Sequence, residues 1–248
     1  MNSTHSNKST SYDIGRPNYP DEFFDYVYDA FGQAGNLTIA DIGAGTGKIT
    51  RRFLEKGSEV FAVEPDKSMM EILKANLTNF PNLTALEHSA ESTGIVSESV
   101  ELIFCGNSYM WFDRSLVVPE FQRIVRSRDK ANIIIARLGA GRDVYSDEFL
   151  EIDRRFRRPV EGREADNSAP FRDGVCIEKA FEYVVSQSYD EFLHGCLSAS
   201  YAPSAADDGF EEYCHELRQL FDKYSKGGRL DGTFKLFCKI GRVEDLVL

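Results

Sequence analysis

The residues with the clearest chemical purpose are Asp41-Ile42-Gly43-Ala44-Gly45-Thr46-Gly47-Lys48. Glycines at alternate positions let a backbone turn tightly and approach a ligand closely. The carboxylate ahead of them suits a cationic ligand group. Two phosphate-binding patterns fail here. A P-loop needs glycine where Ile42 stands and a hydroxyl where Ile49 stands. A dinucleotide fingerprint needs its third glycine at Lys48, and Gly47 comes one residue early. A second carboxylate, Glu64, ends the apolar run 60–63, and its two acceptor oxygens suit a diol. Each residue also has a bland reading: Asp41 as a helix cap, Glu64 as a solvated strand end, Met69 as core.

Short apolar runs alternating with helical stretches must position these groups. Strands are expected over 37–42, 59–63, 83–87, 100–105 and 132–137, with helices over 21–31, 49–56, 68–77 and 114–126 between or before them. That alternation means βαβ units and a parallel sheet, with the glycine turn at its carboxyl edge, where such folds bind ligands. Beyond Gly139 the rhythm breaks. A charged helix is expected over 146–158, an exposed loop over 159–176, a strand over 181–186 and a helix over 190–197. Another helix follows over 209–224, with Asp208 as its N-cap, then a last strand over 233–240. Residues 1–11, rich in Ser, Thr and Asn, read as a disordered leader. Residues 12–248 form the domain, with a cap or insertion at about 140–205.

The segment Asp41–Gly47 resembles the first motif of class I S-adenosylmethionine (SAM)-dependent methyltransferases. Val60-Phe61-Ala62-Val63-Glu64-Pro65-Asp66-Lys67-Ser68-Met69 resembles the second, and Ser89-Ala90-Glu91 the adenine-edge segment. Val100–Cys105 resembles the fourth strand and Trp111-Phe112-Asp113 the turn after it. Tyr12-Asp13-x-x-Arg16-Pro17-x-Tyr19-Pro20 is similar to the N-terminal segment of a small-molecule branch that includes trans-aconitate methyltransferases and the methyltransferase type 11 group. The match covers about residues 12–137. It implies a Rossmann-like three-layer α/β sandwich with a seven-stranded, mostly parallel sheet and a small helical cap. It implies SAM as cofactor, with S-adenosylhomocysteine (SAH) as product. Asp41 would accept from the ammonium, Glu64 would hold the ribose hydroxyls, and Met69, Ala90 and Glu91 would meet the adenine. Gly43, Gly45, Gly47, Pro65, Ser89, Asn107, Tyr12 and Arg16 complete the implied cofactor set. Tyr19, Trp111 and Tyr201 are candidates for the acceptor side.

Absent signatures narrow the acceptor. Asn107-Ser108-Tyr109-Met110 lacks the prolines of the base amino-methyltransferase motif, no cysteine follows a proline, and Cys105-Gly106-Asn107 replaces the acids of metal-dependent catechol-type enzymes. No metal-ligand spacing occurs. The expected reaction is metal-free in-line transfer of a methyl group to a small molecule, with positioning dominant. Relatives often carry histidine before the tryptophan, whereas this chain has Met110. His5, His88, His194 and His215 each suit a structural or exposed role, so the catalytic base is unknown. Arg154, Arg155, Arg157 and Arg158 read as an exposed helix neutralised by Glu151 and Asp153 at i,i+4 spacing.

Composition sets the outer bounds. The chain has 248 residues, 42% of them hydrophobic, and a formal charge of −11, which disfavours binding of polyanionic nucleic acid. The five scattered cysteines, an odd number, read as reduced thiols and point to the cytoplasm. No membrane span is expected, and the protein is expected as a monomer or homodimer. Two rival readings differ in class: a non-catalytic SAM-binding sensor or scaffold, and a nicotinamide-dependent oxidoreductase.

Overall fold

In the computed structural model of the protein, residues 3–32, 37–126, 130, 132–159, 166 and 168–247 are described, with 3–7 as backbone only. Five consecutive buried residues make β1 (Thr38–Ile42), a strand covered on both faces. It pairs in parallel with β2 (Glu59–Val63), Asp41 beside Ala62, and on its other side with β4 (Leu102–Gly106). β3 (Leu83–Leu86) joins β2 in parallel, and β5 (Ile133–Ala140) joins β4. With β6 (Ile177–Gln187) and β7 (Leu230–Gly241) the sheet has seven strands in the order β3-β2-β1-β4-β5-β7-β6. The strand order reverses between β1 and β4, which places a switch point beside the end of β1. This is the Rossmann-like, mostly parallel sheet the sequence predicts.

Side chains alternate across a strand, so successive residues of β4 serve opposite layers. Phe104 meets Phe23 of α2 (Asp21–Phe31) at 5.9 Å and Phe53 of α3 (Lys48–Glu55) at 5.4 Å. Its neighbours Ile103 and Cys105 join Ala40, Ile42 and the Val117, Phe121 and Ile124 side chains of α5 (Arg114–Ile124) in a second core. Each fully buried Leu, Ile or Phe contributes about 1.5–3 kcal/mol. α4 (Lys67–Asn76) starts where Asp66 accepts a hydrogen bond from the Met69 N–H at 2.9 Å.

The chain divides into two compact units. The glycine-turn unit comprises Asn18–Leu138, Glu164–Phe181 and Leu236–Leu248. The helical unit comprises Met1–Pro17, Gly139–Arg163 and Glu182–Lys235, more than the insertion expected over 140–205. Its core joins Ile152 of α6 (Ser146–Phe156), Phe192 of α7 (Tyr189–Leu197), and Tyr213, Leu217 and Phe221 of α8 (Phe210–Tyr224).

Three expectations need correction. The leader is not disordered from Ser3 onward: Ser3–Gly15 form helix α1. Its sequence lacks an apolar stripe, so the helix depends on tertiary contact, with Gly15 seated against Gly195 of α7. The N-cap of α8 is Gly209 in the left-handed region (φ +85°), not Asp208. The loop expected as exposed over 159–176 lies partly outside the described residues. Phe171 within it is buried in the core with Val243 and Leu246 and bridges Leu246, and Arg114 holds the preceding Ser168 and Ala169 carbonyls at 2.9 and 3.0 Å and Asp166 at 2.8 Å.

Candidate functional site

Gly43, Gly45 and Gly47 all have positive φ (+74°, +60° and +82°), the region that favours glycine. The Gly43 and Ala44 N–H groups both donate to the Val63 carbonyl, at 2.8 and 3.0 Å, which ties the turn to the end of β2. Gly43 also has no room for a side chain: a Cβ there would stand 2.4 Å from Cβ of Ser108. Ser108 donates to the Ile42 carbonyl at 2.6 Å, so the end of β4 clasps the start of the turn. It follows Asn107, which has φ +58°. The Asn107 amide nitrogen donates to the Tyr19 hydroxyl at 3.3 Å, and its Oδ1 accepts from the Leu138 N–H at 2.9 Å.

Asp41 lies beneath this turn. It is 2% exposed, and its Oδ2 accepts from the Thr50 hydroxyl at 2.6 Å. Burial pushes its carboxyl up to about 7, opposed by Thr50 and reinforced by Glu64. The helix-cap alternative for Asp41 does not describe this contact, which is to a side chain inside α3. Glu64 is also buried, and each oxygen receives one backbone N–H: Gly45 at 2.8 Å and Asp66 at 2.9 Å. Burial raises its carboxyl too, against those two donors. The same burial, with Asp41 beside it, raises the Cys105 thiol well above its usual range, so that thiol is not a thiolate nucleophile. The hydroxyl of Thr46, inside the turn, is buried without a hydrogen-bond partner among the described residues.

The remaining expected residues divide by position. Pro65 is exposed, and Met69 is half-buried in the first turn of α4. Ser89 bridges to Ser92, Ala90 is part of the core, and Glu91 accepts from the Asp113 N–H at 3.0 Å. Trp111 is 39% exposed on a short 3-10 turn over Tyr109–Trp111, available to a ligand. Tyr19 is not: it is 4% exposed and packs edge-on against Phe23 and Phe104. Its expected acceptor contact gives way to a role in holding Asn107. Tyr12, Arg16 and Tyr201 belong to the helical unit. There the Arg16 guanidinium lies 5.3 Å from the Tyr12 ring centre, and Arg157 covers the Tyr201 ring at 4.0 Å.

Of the two i,i+4 pairs expected in the arginine cluster, Asp153–Arg157 forms, whereas Arg155 turns to Glu216 instead of Glu151. Arg158 pairs with Asp207. His88 is exposed beside Gly94, His215 is exposed against Gln219, and His194 meets the Ser11 hydroxyl at 3.0 Å. Among the described residues, no group of three or more His, Cys, Asp or Glu side chains is placed to hold a metal, and no helix is long and apolar enough to cross a membrane. Thr50 and Ser108 were not evident in the sequence as site residues. The signal for each was a hydroxyl one helical turn, or one strand end, away from the glycine run.

A seven-stranded sheet in this order, with a glycine turn after β1 and a carboxylate after β2, defines the class I methyltransferase fold. Residues 40–131 match the family model of a methyltransferase domain. An uncharacterized methyltransferase of Mycobacterium tuberculosis is 31% identical over 174 residues, 70% of this chain and 64% of the relative. The chain thus spans less than two thirds of that relative's length. Among solved structures, a "putative type II methyltransferase" from Anaeromyxobacter dehalogenans superposes with a TM-score of 0.68 at 21% identity, covering 92% of this chain and 98% of its own. A phosphoethanolamine N-methyltransferase of Haemonchus contortus, solved with S-adenosyl-L-methionine, has a TM-score of 0.54 at 12% identity, covering 97% of this chain and 58% of its own. At those identities the likeness is one of fold.

Proposed function

We propose that the protein transfers a methyl group from SAM to a small-molecule acceptor without a metal. The observation that carries this is the juxtaposition of the glycine turn with two buried carboxylates inside the segment that matches a methyltransferase domain. The residues present fit the cofactor. Three glycines of positive φ shape the turn, Thr46 offers a buried hydroxyl without a partner among the described residues, and the acids match an ammonium and a diol.

SAM supplies an electrophilic methyl group on a sulfonium. Every other contribution belongs to the chain. Positive φ at Gly43, Gly45 and Gly47 gives the turn its shape, with Gly43 packed on Ser108 and Gly47 on Leu73 and Leu77, and Ser108 ties the turn to β1. Glu64 spends one lone pair per oxygen on the backbone and keeps the others for hydroxyls, so the donors that hold it also aim it. Asp41, behind the turn, supplies negative potential toward a cation instead of an open oxygen. Pro65, Met69, Ser89, Ala90 and Glu91 line the adenine side, Asn107 belongs with the cofactor contacts, and Trp111 faces the acceptor. In-line displacement needs mainly alignment and exclusion of water, so an acceptor already deprotonated needs no base.

Calorimetric titration of the protein with SAM, SAH and NADH tests this reading. Saturable binding of SAM and SAH without NADH is expected. Folded protein that binds neither SAM nor SAH refutes the proposal, and NADH binding alone would favour an oxidoreductase. Tight SAM binding with no turnover over a broad acceptor panel would favour a sensor.

A further inference from the structure

A cavity of about 310 Å³ lies entirely within the helical unit, formed by residues distant in sequence from the glycine turn. Its volume is at the lower end of small-molecule sites. Its polar lining comes from Lys8, Thr10 and Ser11 of α1, His194 of α7 and Ser204. Its apolar lining comes from Leu197, Pro203 and Phe210 with the methyl groups of Ala205 and Ala206. The Ser11 hydroxyl meets His194 Nδ1 at 3.0 Å and closes the wall between α1 and α7.

Lys8 is the unusual member. Its ammonium is part-buried and donates to two backbone carbonyls, Ala199 at 3.4 Å and Ser200 at 3.1 Å. Among the described residues no carboxylate lies within ion-pair distance of it. The nearby acid, Asp207, is already committed: Arg158 pairs with it at 2.8 Å, and the Ser204 N–H and hydroxyl each donate to it at 2.7 Å. Burial and the Arg158 charge lower the Lys8 pKa, with Asp207 opposing them. An ammonium has three donors, and a desolvated charge without a counter-ion is costly. Lys8 and Arg158 against Asp207 leave one net positive charge at the cavity, in a chain of net charge −11.

We infer that this cavity binds a small monoanionic amphipath, a carboxylate with a short hydrocarbon body, its head on Lys8 and its body along Leu197, Pro203 and Phe210. One net charge favours a monoanion over a phosphate ester of higher charge, and the apolar lining favours a hydrocarbon over a sugar. The inference is independent of methyl transfer, since it uses none of the residues of the glycine-turn unit.

Hexanoate, 1-hexanol and hexylamine titrated into the full chain test it, read by calorimetry and by backbone amide shifts. Hexanoate is expected to bind saturably at one site, more tightly than the alcohol, with shifts at 194–206 and none at 43–47. Lys8→Gln should weaken hexanoate about tenfold and leave hexanol unchanged, the scale of one charge-assisted hydrogen bond. Lys8→Arg should restore most of the affinity, and Ala205→Phe, at an exposed position, should block binding while the melting temperature holds. The inference fails if hexanoate does not saturate, if hexylamine binds as tightly, if Lys8→Gln leaves hexanoate affinity intact, or if the shifts centre on the glycine turn. Should Lys8→Gln unsettle α1, the arginine and Ala205→Phe variants still decide the outcome.

Discussion

Replacing Asp41 by asparagine isolates the electrostatic tension beneath the glycine turn. Burial raises this carboxyl from 3.8 to about 7. A group that holds its proton more tightly when folded stabilises the native state fully below its unfolded pKa, and that stabilisation is lost as pH rises through the folded pKa. The window is therefore pH 4 to 7, and a rise of that size corresponds to about 4 kcal/mol in total. Asparagine keeps an acceptor for the Thr50 hydroxyl and does not titrate. Carboxyls that folding lowers, such as Glu120 and Asp245, act in the opposite sense but are common to both proteins. The stability of the wild type minus that of Asp41→Asn should thus fall by about 4 kcal/mol between pH 4 and 8. Urea unfolding at several pH values, followed by the fluorescence of Trp111, the single tryptophan, measures it. Parallel pH profiles for the two proteins would refute the argument. The same tension predicts that a cationic ligand pulls the carboxyl back down, so SAM binding near pH 6 releases up to one proton. Calorimetry in two buffers of different ionisation heat reads that proton, and none released would detach Asp41 from the ligand's charge.

Three further perturbations test the site and the helical unit. Gly43→Ala meets both a positive φ and the Ser108 side chain at 2.4 Å, so it should cost about 1–3 kcal/mol and abolish SAM binding; an unchanged melt and affinity would remove the clasp from the argument. Glu64→Ala leaves the Gly45 and Asp66 N–H groups without their acceptor, and is expected to lower stability by about 1–3 kcal/mol and SAM affinity at least tenfold, with Glu64→Gln milder in both. Equal affinity for SAM and for adenosine in Glu64→Ala and wild type would reject the ribose role. Gly15→Ala would put a Cβ 1.9 Å from the Gly195 nitrogen, so α1 should exchange its amide hydrogens faster while those of β1 keep their protection. Uniform protection across both would show that α1 holds by other means.

Much of the fold is local in origin and so was legible from residue order alone. The strand and helix periods over 21–137 are set by alternation of apolar residues, and the glycine run marks its own turn because few other residues tolerate positive φ. The carboxylate after β2 was identifiable from its place at a strand end. What residue order did not determine is what each group faces. Asp41 reads as a ligand contact, yet the packing of α3 against the sheet brings Thr50 to it and closes it from solvent. Tyr19 reads as a pocket tyrosine, yet it packs edge-on against Phe23 and Phe104 and turns its hydroxyl to Asn107. Residues 3–15 carry no apolar stripe, so their helix exists through contact with α7, more than 170 residues later in the chain. Lys8 becomes a half-buried cation for the same reason. Local propensity travels with a segment, whereas burial, hydrogen-bond partners and pKa depend on residues brought together only by tertiary packing.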